Sequence, residues 1–242
     1  MDISEQLGMD QRRRYKTYIH GFDENISGGV PQGSVVLVAG TAGTMKSSMA
    51  YYMLYHNTVK EGVKGLYVSL EQGKPSLMRQ MVNLGFMDGG SNNVDILDLG
   101  MLRLKTAGQD WMDTFRFAIE EAKKRSGYEL LVIDSLGALN LIARFQEPRD
   151  DVFRLFEWLK SLELTTFIIS EMPVGIYSYY GGDTVDFLAD GIVHLKMVEV
   201  GETDIQRRLR CVKMRETDHS SSYYSFYFKE KGFFVTRAIS DF

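Results

Sequence analysis

Cysteine is nearly absent: Cys211 is the only one in 242 residues. A single cysteine excludes an internal disulfide framework and fits a reducing compartment, so a cytoplasmic protein is expected. Proline is scarce, at four residues, and no Pro- or Ser-rich tract marks a linker, so one main domain is expected. No apolar run approaches the ~18 residues that a membrane span requires. The N-terminus (MDISEQLGMDQRRRYK) lacks the apolar stretch of a signal peptide. His20, His56 and His194 are isolated in sequence, so no transition-metal site is expected.

Charge of one sign is not in large excess. Lys and Arg number 28 and Asp and Glu 32, for a net charge of −4. That balance argues against a general nucleic-acid coat protein, but it hides two basic segments. Residues 11–16 carry four cations and no acid, and residues 204–215 carry five cations against Asp204, which leaves −12 on the remainder. The expected organisation is a basic arm over 1–16 and a folded domain over 17–242.

What is present is a series of short apolar runs bounded by Gly or acidic residues: Ser34–Gly40, Gly65–Leu70, Val94–Leu99, Leu130–Asp134 and Thr166–Ser170. Runs apolar at nearly every position predict strands buried on both faces, as in a parallel sheet. Helical patterns lie between them, over Lys46–Lys60, Pro75–Asn83, Gln109–Ser126 and Arg149–Glu163. Alternation of this kind predicts a doubly wound α/β sheet, with functional loops at the strand C-termini. The last quarter predicts consecutive strands over Gly191–Val200, Ile205–Met214, Tyr223–Phe228 and Phe233–Thr236, an antiparallel meander extending one sheet edge. The segment Met172–Leu188, with Gly175, Gly181 and Gly182, is expected to be a mobile loop.

The strongest chemical feature follows the first of these strands and opens a helix: Gly40-Thr41-Ala42-Gly43-Thr44-Met45-Lys46-Ser47-Ser48. The phosphate-binding loop pattern is G-x-x-x-x-G-K-[ST]. Gly40, Lys46 and Ser47 match it, and Met45 replaces the second glycine. Backbone N–H groups and the positive end of the helix suit phosphate oxygens. Lys46 would neutralise the β- and γ-phosphates of ATP, and the Ser47 hydroxyl would ligate Mg²⁺. A plain strand-to-helix turn with a solvated Lys is the competing explanation. Asp134 ends a buried strand, where a carboxylate holds Mg²⁺ and its waters; capping of the following turn is the alternative. Glu71 ends the run Leu66–Leu70, where a carboxylate can orient and deprotonate an attacking water; a solvated Glu before a helix is the alternative.

With these residues in place, the chain resembles a single-domain KaiC-like ATPase of the RecA superfamily, from about Thr17 to Val235. The resemblance rests on Gly28-Gly29-Val30-Pro31-Gln32-Gly33-Ser34, Gly40–Ser48, Tyr67-Val-Ser-Leu-Glu71, Val132-Ile-Asp134-Ser135, Phe187-Leu-Ala-Asp190-Gly191 and Val212-Lys213-Met-Arg215 in this order. It also resembles single-domain archaeal paralogs of the recombinase RadA, which share Lys213-Met-Arg215-x-Thr217-Asp218-His219. The resemblance implies a RecA-like fold and a homo-oligomer, a ring of six, with nucleotide between subunits. It places Glu71 on the first of the family's paired catalytic glutamates, whereas the second is Gln72 here, which implies slow turnover. Lys213 and Arg215 fall on the basic pair that reaches the neighbour's γ-phosphate, although Glu216 stands where a Gly follows that Arg. His219 and Glu230 fall near positions that touch the neighbour's nucleotide, and Asn83 on one that touches base or ribose.

The remaining candidates have plainer explanations available. A pair of cations one residue apart on a strand also suits a solvated edge. Arg207, Arg208 and Arg210, and the arm residues Arg12, Arg13, Arg14 and Lys16, suit DNA, an acidic protein partner or solvent. Tyr177, Tyr179 and Tyr180 suit base stacking or a subunit contact. Cys211 is expected to be inert. The expected function is a slow Mg²⁺-dependent oligomeric ATPase whose nucleotide state controls assembly or partner binding. The alternatives are an ATP-gated module binding single-stranded DNA or a recombinase, and a KaiC-type autokinase.

Overall fold

The computed structural model describes residues 12–87, 94–100, 111–172 and 185–238. Tyr177, Tyr179 and Tyr180 and most of the expected loop around them lie outside the described residues. Two short strands, β1 (Arg14–Tyr15) and β2 (Val30–Pro31), pair with each other. A nine-stranded sheet contains β3 (Val35–Gly40), β4 (Gly65–Ser69), β5 (Val94–Asp98), β6 (Leu130–Asp134), β7 (Thr165–Glu171), β8 (Gly191–Val200), β9 (Asp204–Met214), β10 (Tyr224–Lys229) and β11 (Gly232–Arg237). Their order across the sheet is β11-β10-β9-β8-β3-β7-β6-β4-β5. The strands from β8 to β5 in that order pair in parallel, and β8 to β11 pair antiparallel.

The helices are α1 (Lys46–Glu61), α2 (Lys74–Asn83), α3 (Trp111–Ser126), α4 (Leu136–Ala143), α5 (Pro148–Ser161) and α6 (Val185–Leu188). They divide the core in two because successive strand residues face opposite sides. Val36, Val38, Tyr67 and Val132 pack with α1 residues such as Met49 and Leu54 on one face. Val35, Leu37, Leu131 and Ile133 pack with Phe115 of α3 and Phe156 of α5 on the other. Strands buried on both sides account for their unbroken apolar character.

The expected α/β sheet and its antiparallel extension are therefore both present. Besides a short 3-10 helix (Asp23–Ile26) and α6, which stands at the end of the segment expected to be a loop, two features are additions. Helix α4 was not expected, because its eight residues are too few to show a helical period. Its start is nonetheless signalled, since the Ser135 hydroxyl caps it by accepting from Ala138 N–H at 3.2 Å. The other addition is the β1–β2 pair. Arg14 fastens it by donating to the carbonyls of Gly29 at 2.9 Å and Glu216 at 2.6 Å and to Thr217 Oγ1 at 2.9 Å. Among the described residues no helix is long and apolar enough to cross a membrane.

Candidate nucleotide site

The parallel strands end at one rim, and the phosphate-loop candidates gather there with Glu71, Asn83 and Asp134. Gly40 closes β3 because its bare Cα packs on β8. A Cβ at this position would lie 2.3 Å from the Leu195 carbonyl oxygen. The chain then turns through Gly43, at φ +80°, and Met45, at φ 69°, before entering α1. Both lie in the left-handed region, which glycine enters freely and Met enters at a cost of ~1–2 kcal/mol. Met45 thus takes a left-handed conformation at the position where the pattern has glycine. The turn is braced by Thr44 Oγ1 and Lys46 Nζ, which donate to the Thr41 carbonyl at 2.8 and 2.9 Å.

No side chain caps the start of α1, so its first N–H groups are presented without a side-chain partner. They face a cleft of about 680 Å³ whose lining includes Lys46, Ser47, Glu71, Asn83, Asp134 and Glu171. Burial holds the Lys46 ammonium below its usual range, opposed by the charges of Glu171, Asp134 and Glu71. At the floor, Tyr67 OH donates to Asp134 Oδ2 at 2.6 Å, and the Ser47 hydroxyl bonds both side chains. Burial raises the Asp134 carboxyl above the ordinary carboxylate range, against the lowering effect of those two hydrogen bonds. Ser135 Oγ donates to Glu71 Oε1. Gln72, the departure from the paired glutamates, donates from Nε2 to Ser76 Oγ at 2.9 Å.

This donor set fits a magnesium nucleotide. Ser47 and Asp134 offer hard oxygen, which suits Mg²⁺, an ion that takes one or two protein ligands and completes its shell with phosphates and water. Among the described residues no group of three His, Cys, Asp or Glu side chains is gathered to hold a metal by itself. The N-terminus of α1 and Lys46 suit the phosphates.

The family profile described as "ATPase: KaiC" matches residues 15–239. The chain belongs to the KaiC ATPase family. It is 29% identical over 239 residues to a UPF0273 protein of Pyrococcus furiosus, covering 92% of this chain and 94% of that one. It is 30% identical to the circadian clock oscillator protein KaiC of Rippkaea orientalis, covering 88% of this chain but 42% of the clock protein. Among solved structures, a KaiC-like protein of Pyrococcus horikoshii OT3 superposes with a TM-score of 0.77 at 30% identity, covering 93% of this chain and 99% of that one. The fold is thus the RecA-like fold of this KaiC-like relative.

The two cations that the resemblance reads as a basic pair occupy a different place in the fold. Lys213, Arg215 and His219 are not among the residues lining the cleft. Lys213 Nζ donates to the carbonyls of Asp186 at 3.1 Å and Phe187 at 3.3 Å, and Arg215 pairs with Asp190 at 2.8 Å. Met214 between them is buried against the opposite core. In the sheet register Met214 pairs with Gly191, whereas Gly40 pairs with Leu195. The pair and the phosphate loop are therefore about 13 Å apart along β8, by strand rise alone.

Three participants have places in the site that the sequence does not assign to them. Tyr67 reads as an apolar strand residue, Glu171 as a strand terminus, and Arg207 as one of a basic block. Strand alternation divides that block. Arg207 Nε donates to the Gly43 carbonyl of the phosphate loop at 3.2 Å, whereas Arg210 stands over the Tyr223 ring at 4.6 Å. Cys211 is buried, and burial pushes its thiol up to about 12, which leaves it unreactive.

Proposed function

We propose that this chain is a slow Mg²⁺-dependent ATPase acting as a homo-oligomer, a ring of six, with each nucleotide at a subunit boundary. The observation that carries this reading is the joining of Lys46, Ser47, Asp134 and Glu71 around one cleft, with Lys213 and Arg215 at the other end of the strand frame.

Lys46 and the N-terminus of α1 hold the phosphates. Ser47 and Asp134 are the residues that would hold Mg²⁺, which when bound neutralises charge developing on the phosphates. Glu71 orients the attacking water and takes its proton, held in place by Ser135. Asn83 contributes to the base or ribose end of the cleft. Lys213 and Arg215, away from their own loop and on positions that the resemblance gives to a trans-acting pair, act on a second copy, stabilising transition-state charge from outside. His219 lies with that trans-acting group. Such an arrangement requires head-to-tail contacts, which close into a ring when the rotation allows. Nucleotide occupancy then controls assembly or the binding of a protein partner, in the cytoplasm.

Steady-state ATP hydrolysis by the assembled protein tests this. Glu71→Gln and Arg215→Ala are each expected to lower kcat by ~10²-fold or more. Undiminished turnover in both contradicts the assignment.

A further inference from the structure

The resemblance implies a pair of glutamates where this chain has Glu71 and Gln72, so the chain itself offers one carboxylate at that strand end. A second carboxylate reaches the site from elsewhere. Glu171 ends β7 and stands beside Gly40 in the sheet register. It lines the nucleotide cleft, and it is the foremost charge acting on Lys46.

A second cavity of about 530 Å³ adjoins the cleft, lined by Leu70, Ser135, Ala138 and Leu141 among others. Among the described residues, Glu71 and Glu171 are the ones that line both cavities. The two carboxylates therefore form the boundary between the nucleotide and the space behind it. The sheet order explains their placement. Glu71 follows β4 and Glu171 ends β7, and β6, which ends in Asp134, lies between those strands. Two strand spacings separate the two backbones by about 10 Å, a gap across which two Glu side chains can converge on one small molecule. Ser135 occupies Oε1 of Glu71 and leaves its other oxygen available.

The geometry points to Glu71 and Glu171 acting together on the attacking water, with Glu171 supplying the carboxylate that Gln72 does not. A water donating one hydrogen to each carboxylate turns its lone pairs in a third direction, toward the γ-phosphorus. As its oxygen bonds to that phosphorus, the bond to the β,γ-bridging oxygen breaks and its electron pair leaves with ADP. One proton passes to Glu71. The other hydrogen, held by Glu171, remains on the phosphate product. Glu171 is thus a catalytic residue by contact with the reacting water. The second cavity is the compartment from which that water arrives.

This inference rests on the proposed hydrolysis and on Glu71 as base, and one set of variants separates the claims. Steady-state hydrolysis and binding of a non-hydrolysable ATP analogue are measured for wild type, Glu71→Gln, Glu171→Gln and the double variant. Glu171→Gln is expected to lower kcat by at least about 10-fold with KM and analogue affinity within about 3-fold. The double variant is expected to be no slower than Glu71→Gln alone, because both residues act on one water. Glu171→Gln with kcat within about 2-fold of wild type, or with its whole loss in analogue binding, overturns the role of Glu171 and leaves Glu71 standing. Wild-type rates in Glu71→Gln, or no turnover by assembled wild type, overturn the reading beneath it and this inference with it.

Discussion

Tyr67 and Asp134 are joined by a 2.6 Å hydrogen bond at the floor of the cleft, on neighbouring strands whose register pairs Tyr67 with Val132. Tyr67 is fully buried, and burial together with the Asp134 charge raises its phenol well above the ordinary range. The phenol therefore stays a donor and fixes the carboxylate that would hold Mg²⁺. Groups behind a metal ligand commonly alter metal affinity by ~10–100-fold. Tyr67→Phe, which keeps the ring packing, is expected to raise the Mg²⁺ concentration for half-maximal hydrolysis by about 10-fold. A magnesium titration of ATPase rate at saturating ATP measures it.

Met45 occupies the left-handed turn in place of glycine. If the loop already follows the required path, restoring glycine changes little at the phosphates. Met45→Gly is expected to leave ATP affinity within about 3-fold, because relief of backbone strain acts on the free and bound loop alike. Calorimetric titration with a non-hydrolysable analogue checks this, and a large tightening would show that Met45 distorts the cradle.

Gly40 and Gly62 separate two reasons for glycine. At Gly40 an added Cβ meets backbone, the Leu195 carbonyl oxygen at 2.3 Å. At Gly62, φ is +70° with nothing within 4 Å. Gly40→Ala is expected to cost about 2–3 kcal/mol and to impair ATP binding. Gly62→Ala is expected to cost about 1 kcal/mol with binding retained. Urea unfolding beside analogue binding distinguishes them.

Stability is expected to fall in mild acid through the half-buried His56 and the buried His194. Burial pushes His56 down to about 4, with the charges of Lys60 and His20 adding to the effect. His194 is likewise pushed down to about 4, by burial and then by Arg210 and Lys196. Below an ordinary histidine pKa of about 6.5 the unfolded chain gains protons that the folded chain refuses. The contribution is therefore intact above that value and is lost as pH falls toward the folded values. The urea midpoint is expected to drop across this window, and to drop less in His56→Phe, which keeps the aromatic packing.

Much of this was legible in sequence because it is local. The phosphate loop announces itself through Gly40, Lys46 and Ser47, and the buried strands through unbroken apolar runs. Asp134 and Glu71 stand at strand ends, where an α/β sheet places its chemistry. What sequence obscures is set by pairing between distant strands. Glu171 enters the site only because β7 lies beside β3, and Tyr67 reaches Asp134 only because β4 lies beside β6. Arg207 parts from Arg208 because consecutive strand residues face opposite sides. Helix α4 was hidden for a different reason, its two turns being too short for a period.

In the proposed assembly, one subunit's cleft is completed by another subunit's Lys213 and Arg215. Mixing two impaired chains tests it directly. Lys46→Ala removes the phosphate lysine and keeps Arg215, whereas Arg215→Ala does the reverse. In a mixed assembly some boundaries join an intact loop to an intact arginine. Hydrolysis is expected to be low in each variant alone and to rise on mixing and reassembly with ATP. Activity that stays at the average of the separate variants, or an Arg215→Ala protein as fast as wild type, would mean that Arg215 does not act across a subunit boundary.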